Sequence, residues 1–297
     1  MKYLISMLAG AGLAAAAPLQ ARATDRKELK GIRSGDSYTM TSFDVNGTQP
    51  TTGNPMGNPT LGTGTTGGGI NWVGYLTTVD NASLVLTYDL AVGGASLDNS
   101  LVPTGITGDV VSQVASFETA YGQKPDTAPW TSDNAVFGFW IGINDIGWAW
   151  SSNDVSVMAP KIMAEYKTLA EKLYANGARK FIFLNVPPTS RAPEIADQGA
   201  TIQAGHAAWL AAFNTALETM VDEFIADNSG TTTVLYDTFS FMTKILDDPT
   251  TYGFTDATCI DSTGATCVWW NSYHPGYAYH KLQAADMKEH MHSLGAW

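Results

Sequence analysis

The run Gly35-Asp36-Ser37-Tyr38 sets a serine between a carboxylate and a phenol, directly after a glycine. A serine hydroxyl is a poor nucleophile by itself. Chemistry at Ser37 therefore requires a base to take its proton and donors to hold an oxyanion. Histidine is the usual base, and the chain has five. His206 falls on the polar side of a predicted helix and is expected to face solvent, while His290 and His292 belong to a terminal helix or tail. His280 lies within a helical pattern and is expected to be packed. His274 differs, because it sits in the turn-like run "CVWWNSYHPG" (267–276), with Pro275 and Gly276 behind it. Backbone N–H groups at Ser37 and at a glycine, together with a side-chain amide, would serve an oxyanion. Gly94 and Asn144 are placed for this, although glycines also make turns and Asn-Asp pairs also cap helices.

The surrounding elements must bring these residues together. "SLVLTYDLAV" (83–92), "AVFGFWIGI" (135–143), "KFIFLNV" (180–186) and "TTVLYDT" (232–238) are short apolar runs that suit strands buried on both faces. "LKGIRSG" (29–35) is a weaker strand, with Leu29 and Ile32 its only large apolar residues. Ile162, Tyr166, Leu169 and Leu173 recur at helical spacing before Gly177, and Trp209, Phe213, Leu217, Met220 and Phe224 do the same further on. Strand–helix alternation predicts an α/β fold: one three-layer α/β/α domain with a central parallel sheet. Ligand sites in such folds lie beyond the carboxyl ends of the strands. The polar clusters "GGAS" (93–96), "NDIG" (144–147) and "PPTSR" (187–191) each follow a predicted strand, and Ser37 follows the weak one. The Gly/Pro/Thr-rich stretch 47–69 cannot hold a helix and reads as a long surface loop bordering the site.

Asp36 and Asp145 are carboxylates beside these clusters. A glycosidase needs two facing carboxylates, but that reading leaves Ser37 and His274 without a task. Asp36 is read as bracing the serine turn, and Asp145 as bracing the asparagine loop. Among the aromatics near the clusters, Trp140 lies inside a strand and is expected in the core. Tyr38, Trp269, Trp270 and Tyr273 are candidates to bind a substrate's sugar rings, the last three because they flank His274.

Five blocks in order, "GDSY" (35–38), "AVGGAS" (91–96), "FWIGINDIG" (139–147), "FLNVPPTSRAP" (183–193) and "HPG" (274–276), resemble the GDSL, or SGNH, hydrolase superfamily. The resemblance covers nearly all of the chain after its first residues, and it implies an SGNH hydrolase-like, flavodoxin-like sheet. The serine, glycine, asparagine and histidine that name the family fall on Ser37, Gly94, Asn144 and His274, with Gly93 an alternative to Gly94. Family members commonly carry an aspartate three residues before the histidine, where this chain has Asn271. An asparagine carbonyl can hold the imidazole, but it cannot offset the imidazolium charge. Three arrangements follow: Asn271 or a backbone carbonyl orients His274, another acid such as Asp237 or Asp261 fills in, or the site has decayed. The first is adopted. Arg33-Ser34 is a second departure, since relatives tend to be apolar before the GDS run.

A finer resemblance, carried by "NGTQPTTGNPMGNPTLG" (46–62), "NWVGYL" (71–76) and "WTSDNAVFGFWIGINDIG" (130–147), is to fungal secreted acetylesterases of carbohydrate esterase family sixteen. It implies hydrolysis of acetyl esters on plant-wall oligosaccharides such as acetylated xylan fragments, with no cofactor. The alternatives are a lipid acyl hydrolase of the same superfamily and a carbohydrate-binding protein with a decayed site.

Composition bounds these readings. A net charge of −12 over 297 residues argues against nucleic acid as a partner. Lys2, the apolar run from Tyr3 to Pro18 and Ala21-Arg22-Ala23 read as a secretory signal over residues 1–23, leaving a single catalytic domain over 24–297. Cleavage nearer Ala17 is the alternative. No second apolar run follows, so the expected product is secreted, soluble and free of membranes, and nothing in the sequence demands more than a monomer. Cys259 and Cys267, the only cysteines, are expected to pair, and two thiols alone do not complete a metal site. Asn46 and Asn81 begin sequons for N-glycosylation.

Overall fold

The computed structural model describes residues 28–295, and the expected signal segment lies outside them. Five parallel strands form one sheet: β1 (Leu29–Gly35), β2 (Val85–Asp89), β3 (Ala135–Trp140), β4 (Lys180–Leu184) and β5 (Thr232–Tyr236). Their order is β2-β1-β3-β4-β5. The long apolar runs become strands because helices cover both faces. One layer holds α2 (Val110–Ala120), α4 (Val155–Ala175) and α6 (Ala200–Asp227), with α4 packed against both of the others. α1 (Trp72–Thr78) and α8 (Tyr277–His290) pack together as the other. Shorter helices α3 (Ile143–Ala149), α5 (Pro193–Ala196) and α7 (Thr238–Asp247) follow β3, β4 and β5. The chain turns in opposite directions from β1 to reach β2 and β3, so the crevice of this doubly wound sheet opens at the carboxyl end of β1.

The weakest predicted strand is thus a central one, and all seven of its residues are buried. Arg33 is accommodated rather than expelled. Gly31 and Gly138 leave room for its side chain, and its guanidinium donates to the Val136 carbonyl at 2.9 Å. Asp89 stands opposite it in the register between β1 and β2; burial raises its carboxyl to about 7, and its ionised form opposes the guanidinium charge.

The low-complexity loop is also built in. The Pro55 carbonyl accepts from the Thr87 N–H at 2.9 Å, which covers the outer edge of β2. Asn58 ties the middle of the loop to its start, accepting from the Asp44 N–H and donating to the Asp44 and Thr48 carbonyls. One expectation is corrected here: His206 is buried, not exposed. Gly205 lets the Trp150 ring close over this face of α6, and the His206 and Trp150 rings lie 5.8 Å apart. Burial lowers the His206 pKa to about 4.

Candidate active site

The serine turn is held from several directions. Gly35 ends β1 where any side chain would overlap the Trp140 carbonyl oxygen. The buried amide of Gln113 brackets the Gly35 backbone, accepting from its N–H and donating to its carbonyl, each at 2.8 Å. Asp36 then braces the turn: its carboxylate accepts from the Tyr38 N–H at 2.9 Å, and its carbonyl accepts from the Met40 N–H at 2.9 Å. Thr66, from the long loop, donates to the Ser37 carbonyl at 2.6 Å. Among the described residues no protein group accepts from the Ser37 N–H.

Gly94 has φ +78°, a left-handed conformation that only glycine adopts freely, and it completes the turn after β2. The Gly93 N–H faces the Met40 thioether at 3.1 Å, whereas the Gly94 N–H has no acceptor among the described residues. Of the two glycines, Gly94 is therefore the one with a free donor. Asn144 lies in the first turn of α3, and its side-chain Nδ2 donates to the Ala95 carbonyl at 2.9 Å, leaving a second hydrogen unused. Next to it, both carboxylate oxygens of Asp145 accept from the Leu97 N–H, at 3.0 and 3.1 Å. Two consecutive residues thus fix α3 to the glycine loop. Asp36 and Asp145 are fully buried; desolvation raises Asp36 to about 8, with Asp145 adding to the rise, and raises Asp145 to about 7.

His274 arrives on an irregular segment. The Cys259–Cys267 disulfide closes a short loop, and the Asp261 carboxylate draws that loop in by accepting from Thr263, Ala265 and Thr266 N–H groups. The Trp270 N–H donates to the His274 carbonyl at 2.8 Å, making a tight turn. α5 supports the turn from below, with the Glu194 N–H donating to the Ser272 carbonyl at 2.9 Å. The Tyr38 hydroxyl donates to the Tyr273 carbonyl, stapling the residue after the serine to the residue before the histidine.

Within that turn the Asn271 side-chain oxygen accepts from the Tyr273 N–H at 2.9 Å and from the His274 N–H at 2.7 Å. Two backbone donors fix this atom as oxygen rather than nitrogen. The same oxygen lies 3.1 Å from His274 Nδ1, so Nδ1 carries the proton. Nε2 is then the free lone pair, and it stands 2.8 Å from Ser37 Oγ. Burial lowers the His274 pKa to about 4, so the imidazole is neutral near pH 7. Asp237 and Asp261 do not take Asn271's place. Asp237 caps α7 and accepts from Asn185, while Asp261 serves its own loop.

The structure thus brings together Ser37, His274 and Asn271, with Gly94 and Asn144 on the neighbouring loops. The aromatic candidates divide. Tyr38 and Trp269 are 1% and 0% exposed, which corrects the expectation that they face substrate. Tyr38 packs edge-on to Trp140, and Trp269 anchors the histidine segment in a core with Val268 and Tyr279. Trp270 and Tyr273 stay half-exposed. Sequence reasoning missed Gln113 and Thr66. Gln113 was findable, since it occupies the buried stripe of α2 with Val110, Val114 and Phe117.

Comparison with known proteins shows the family of the chain. The family model described as GDSL-like Lipase/Acylhydrolase matches residues 35–287. An acetylesterase of Thermothelomyces thermophilus is 40% identical over 283 residues, covering 94% of this chain and 93% of that protein. An acetylesterase of Hypocrea jecorina is 30% identical over 170 residues, covering 52% of this chain and 47% of that protein. Among solved structures, an acetyl-xylooligosaccharide esterase from Geobacillus stearothermophilus aligns with TM-score 0.51 at 16% identity, covering 90% of this chain and 94% of that one. That likeness carries the fold: a parallel sheet between helical layers. By the family match and the near-full-length relative, the chain belongs to the GDSL-like lipase/acylhydrolase family of ester hydrolases.

Proposed function

We propose that this protein is a secreted acetylesterase that removes acetyl groups from plant-wall oligosaccharides such as acetylated xylan fragments. The observation that carries the catalytic part is the line from Asn271 through His274 to Ser37, with the tautomer set by two backbone N–H groups. Ser37 Oγ attacks the ester carbonyl while His274 Nε2 takes its proton. The N–H groups of Ser37 and Gly94 and the Asn144 side chain hold the oxyanion. Collapse breaks the bond to the sugar oxygen, which leaves with the proton from Nε2. Water, deprotonated by Nε2, then attacks the acetyl-serine, and Ser37 regains its proton as acetate departs. Asn271 holds the ring in the required tautomer throughout and carries no charge.

The acetyl preference is supported by the full-length relative, itself an acetylesterase, and by crowding on the glycine side of Ser37. There Met40 lies against Gly93 and Ile106 against Gly94, which favours a short acyl group. The saccharide substrate rests on the resemblance to fungal acetylesterases. The signal-like N-terminus and the disulfide fit an extracellular route. Of the two sequons, Asn46 is exposed, whereas the Asn81 amide is engaged with the Thr77 carbonyl at 2.6 Å, so Asn46 is the better acceptor of sugar.

Acetate release from acetylated xylo-oligosaccharides, with Ser37→Ala alongside, tests the proposal. The wild type is expected to release acetate, and the variant to be slower by about 10³-fold or more. A folded wild type that ignores acetate esters and prefers long acyl chains would contradict it.

A further inference from the structure

α3 shows solvent a single strip. Ile143, Asp145, Ile146 and Ala149 are buried, while Asn144 is half-exposed and Gly147 and Trp148 are exposed. Positions i, i+3 and i+4 share one helical face, so this strip begins at the Asn144 amide and ends one turn later at the indole. Trp148 is 60% exposed, more than any other large apolar side chain among the described residues. Lone exposed apolar residues are ordinary on protein surfaces. What distinguishes Trp148 is what lies beside it. The Tyr273 hydroxyl is 3.5 Å from the Ile143 carbonyl, and it lies 3.4 Å from where a side chain at Gly147 would begin. Tyr273 is the residue before His274. Gly147, itself exposed, lets the phenol that adjoins the catalytic turn pack against α3, and it puts no side chain between Asn144 and the indole that faces water.

We infer that Trp148 is a stacking platform for a pyranose ring of the acetylated saccharide, adjacent to the ring that carries the ester. The exposed Gly147 presents no side chain in the path of that ring between Asn144 and the indole. The inference rests on the saccharide reading given above. The C–H face of a pyranose is apolar and slightly positive, and it complements the negative face of an aromatic ring. One helical turn separates Asn144 from Trp148, a rise of about 6 Å, which is of the order of one sugar ring. A substrate held at the ester by Asn144 would thus reach the indole with its neighbouring ring.

The test compares KM on acetylated xylo-oligosaccharides with KM on 4-nitrophenyl acetate, which is too small to reach the indole. Wild type, Trp148→Ala, Trp148→Phe and Gly147→Val are measured on both. In Trp148→Ala the saccharide KM is expected to rise about tenfold more than the KM for 4-nitrophenyl acetate. Trp148→Phe should restore most of that difference, and Gly147→Val should reproduce the loss by putting a branched side chain between Asn144 and the indole. A Trp148→Ala variant with wild-type saccharide KM, or with equal changes on both substrates, overturns the subsite alone. A wild type that cleaves 4-nitrophenyl acetate but no saccharide overturns the saccharide reading, and the subsite with it.

Discussion

Ser37 stands just beyond a central strand, whereas His274 stands in a segment, 254–276, that holds no helix and only isolated bridges. The serine is positioned by register. β1 is paired on both sides, and the Gln113 amide pairs with the backbone of Gly35, the last residue of the strand. The histidine is positioned by close backbone packing. A side chain at Gly264 would overlap the Gly67 carbonyl oxygen, and one at Gly276 would overlap the Gly264 carbonyl oxygen. The Tyr277 N–H donates to the Gly67 carbonyl at 2.8 Å. Two glycine-rich stretches thus interlock beneath the imidazole, and the disulfide and the Asn271 turn finish the job. A sheet tolerates much variation outside its register, but an interlock of this kind depends on each small residue.

The largest effect is therefore expected from Gly264→Ala. Gly264 has φ +77°, so a methyl group there meets both backbone strain and the Gly67 carbonyl. Chemical denaturation should show a loss of about 3 kcal/mol. Activity should fall further than stability explains, because the fault lies under His274. A variant as stable as wild type would show that the segment is held by something else.

Tyr38→Phe cuts the link between the two regions while leaving both intact. The Tyr273 carbonyl loses its donor, at a cost of about 1–2 kcal/mol. With His274 less well aimed at Ser37, kcat should fall about tenfold while KM holds. Equal changes in kcat and KM would instead point to a role in binding.

The smallest effect is one of pH, and it belongs to the serine side. Asp36 keeps its proton in the folded state up to about pH 8, and Asp89 and Asp145 keep theirs up to about 7, while unfolded carboxylates lose theirs near 4. Folding therefore takes up protons across that window, and stability falls as pH rises through it. The buried neutral imidazoles of His206 and His274 act oppositely between about 4 and 6.5, where only the unfolded chain is protonated. The carboxylates are thus unopposed above pH 6.5. Thermal melting should drop by about 3 °C or more between pH 6.5 and 8, and Asp36→Asn should flatten that drop. An unchanged slope in the variant would assign the protons elsewhere.

The same contrast governs what the sequence discloses. The four long apolar runs show as strands because burial on both faces leaves an unbroken apolar signal. β1 shows weakly because Lys30 and Arg33 sit in it, buried at 1% and 2%. Its central place depends on space left by Gly138 in another strand, which no local pattern records. Ser37, Gly94 and Asn144 are visible as types at strand ends, and His274 is visible by its turn-like run. Their partners are less so: the Asn271 contact forms within one turn and is legible, whereas the burial of Tyr38 and Trp269 is not. A tyrosine beside a catalytic serine looks the same in sequence whether its ring faces a sugar or a core.

The central claim is that a neutral imidazole, held by an uncharged asparagine, serves as base to Ser37. The direct measurement is kcat/KM against pH for acetate release by wild type and Asn271→Asp. The wild-type acid limb should lie near the His274 pKa of about 4. A carboxylate at 271 would stabilise the imidazolium and move the limb upward by about two pH units. A wild-type limb at 6 or above that the substitution leaves in place would show that His274, as held here, is not the base.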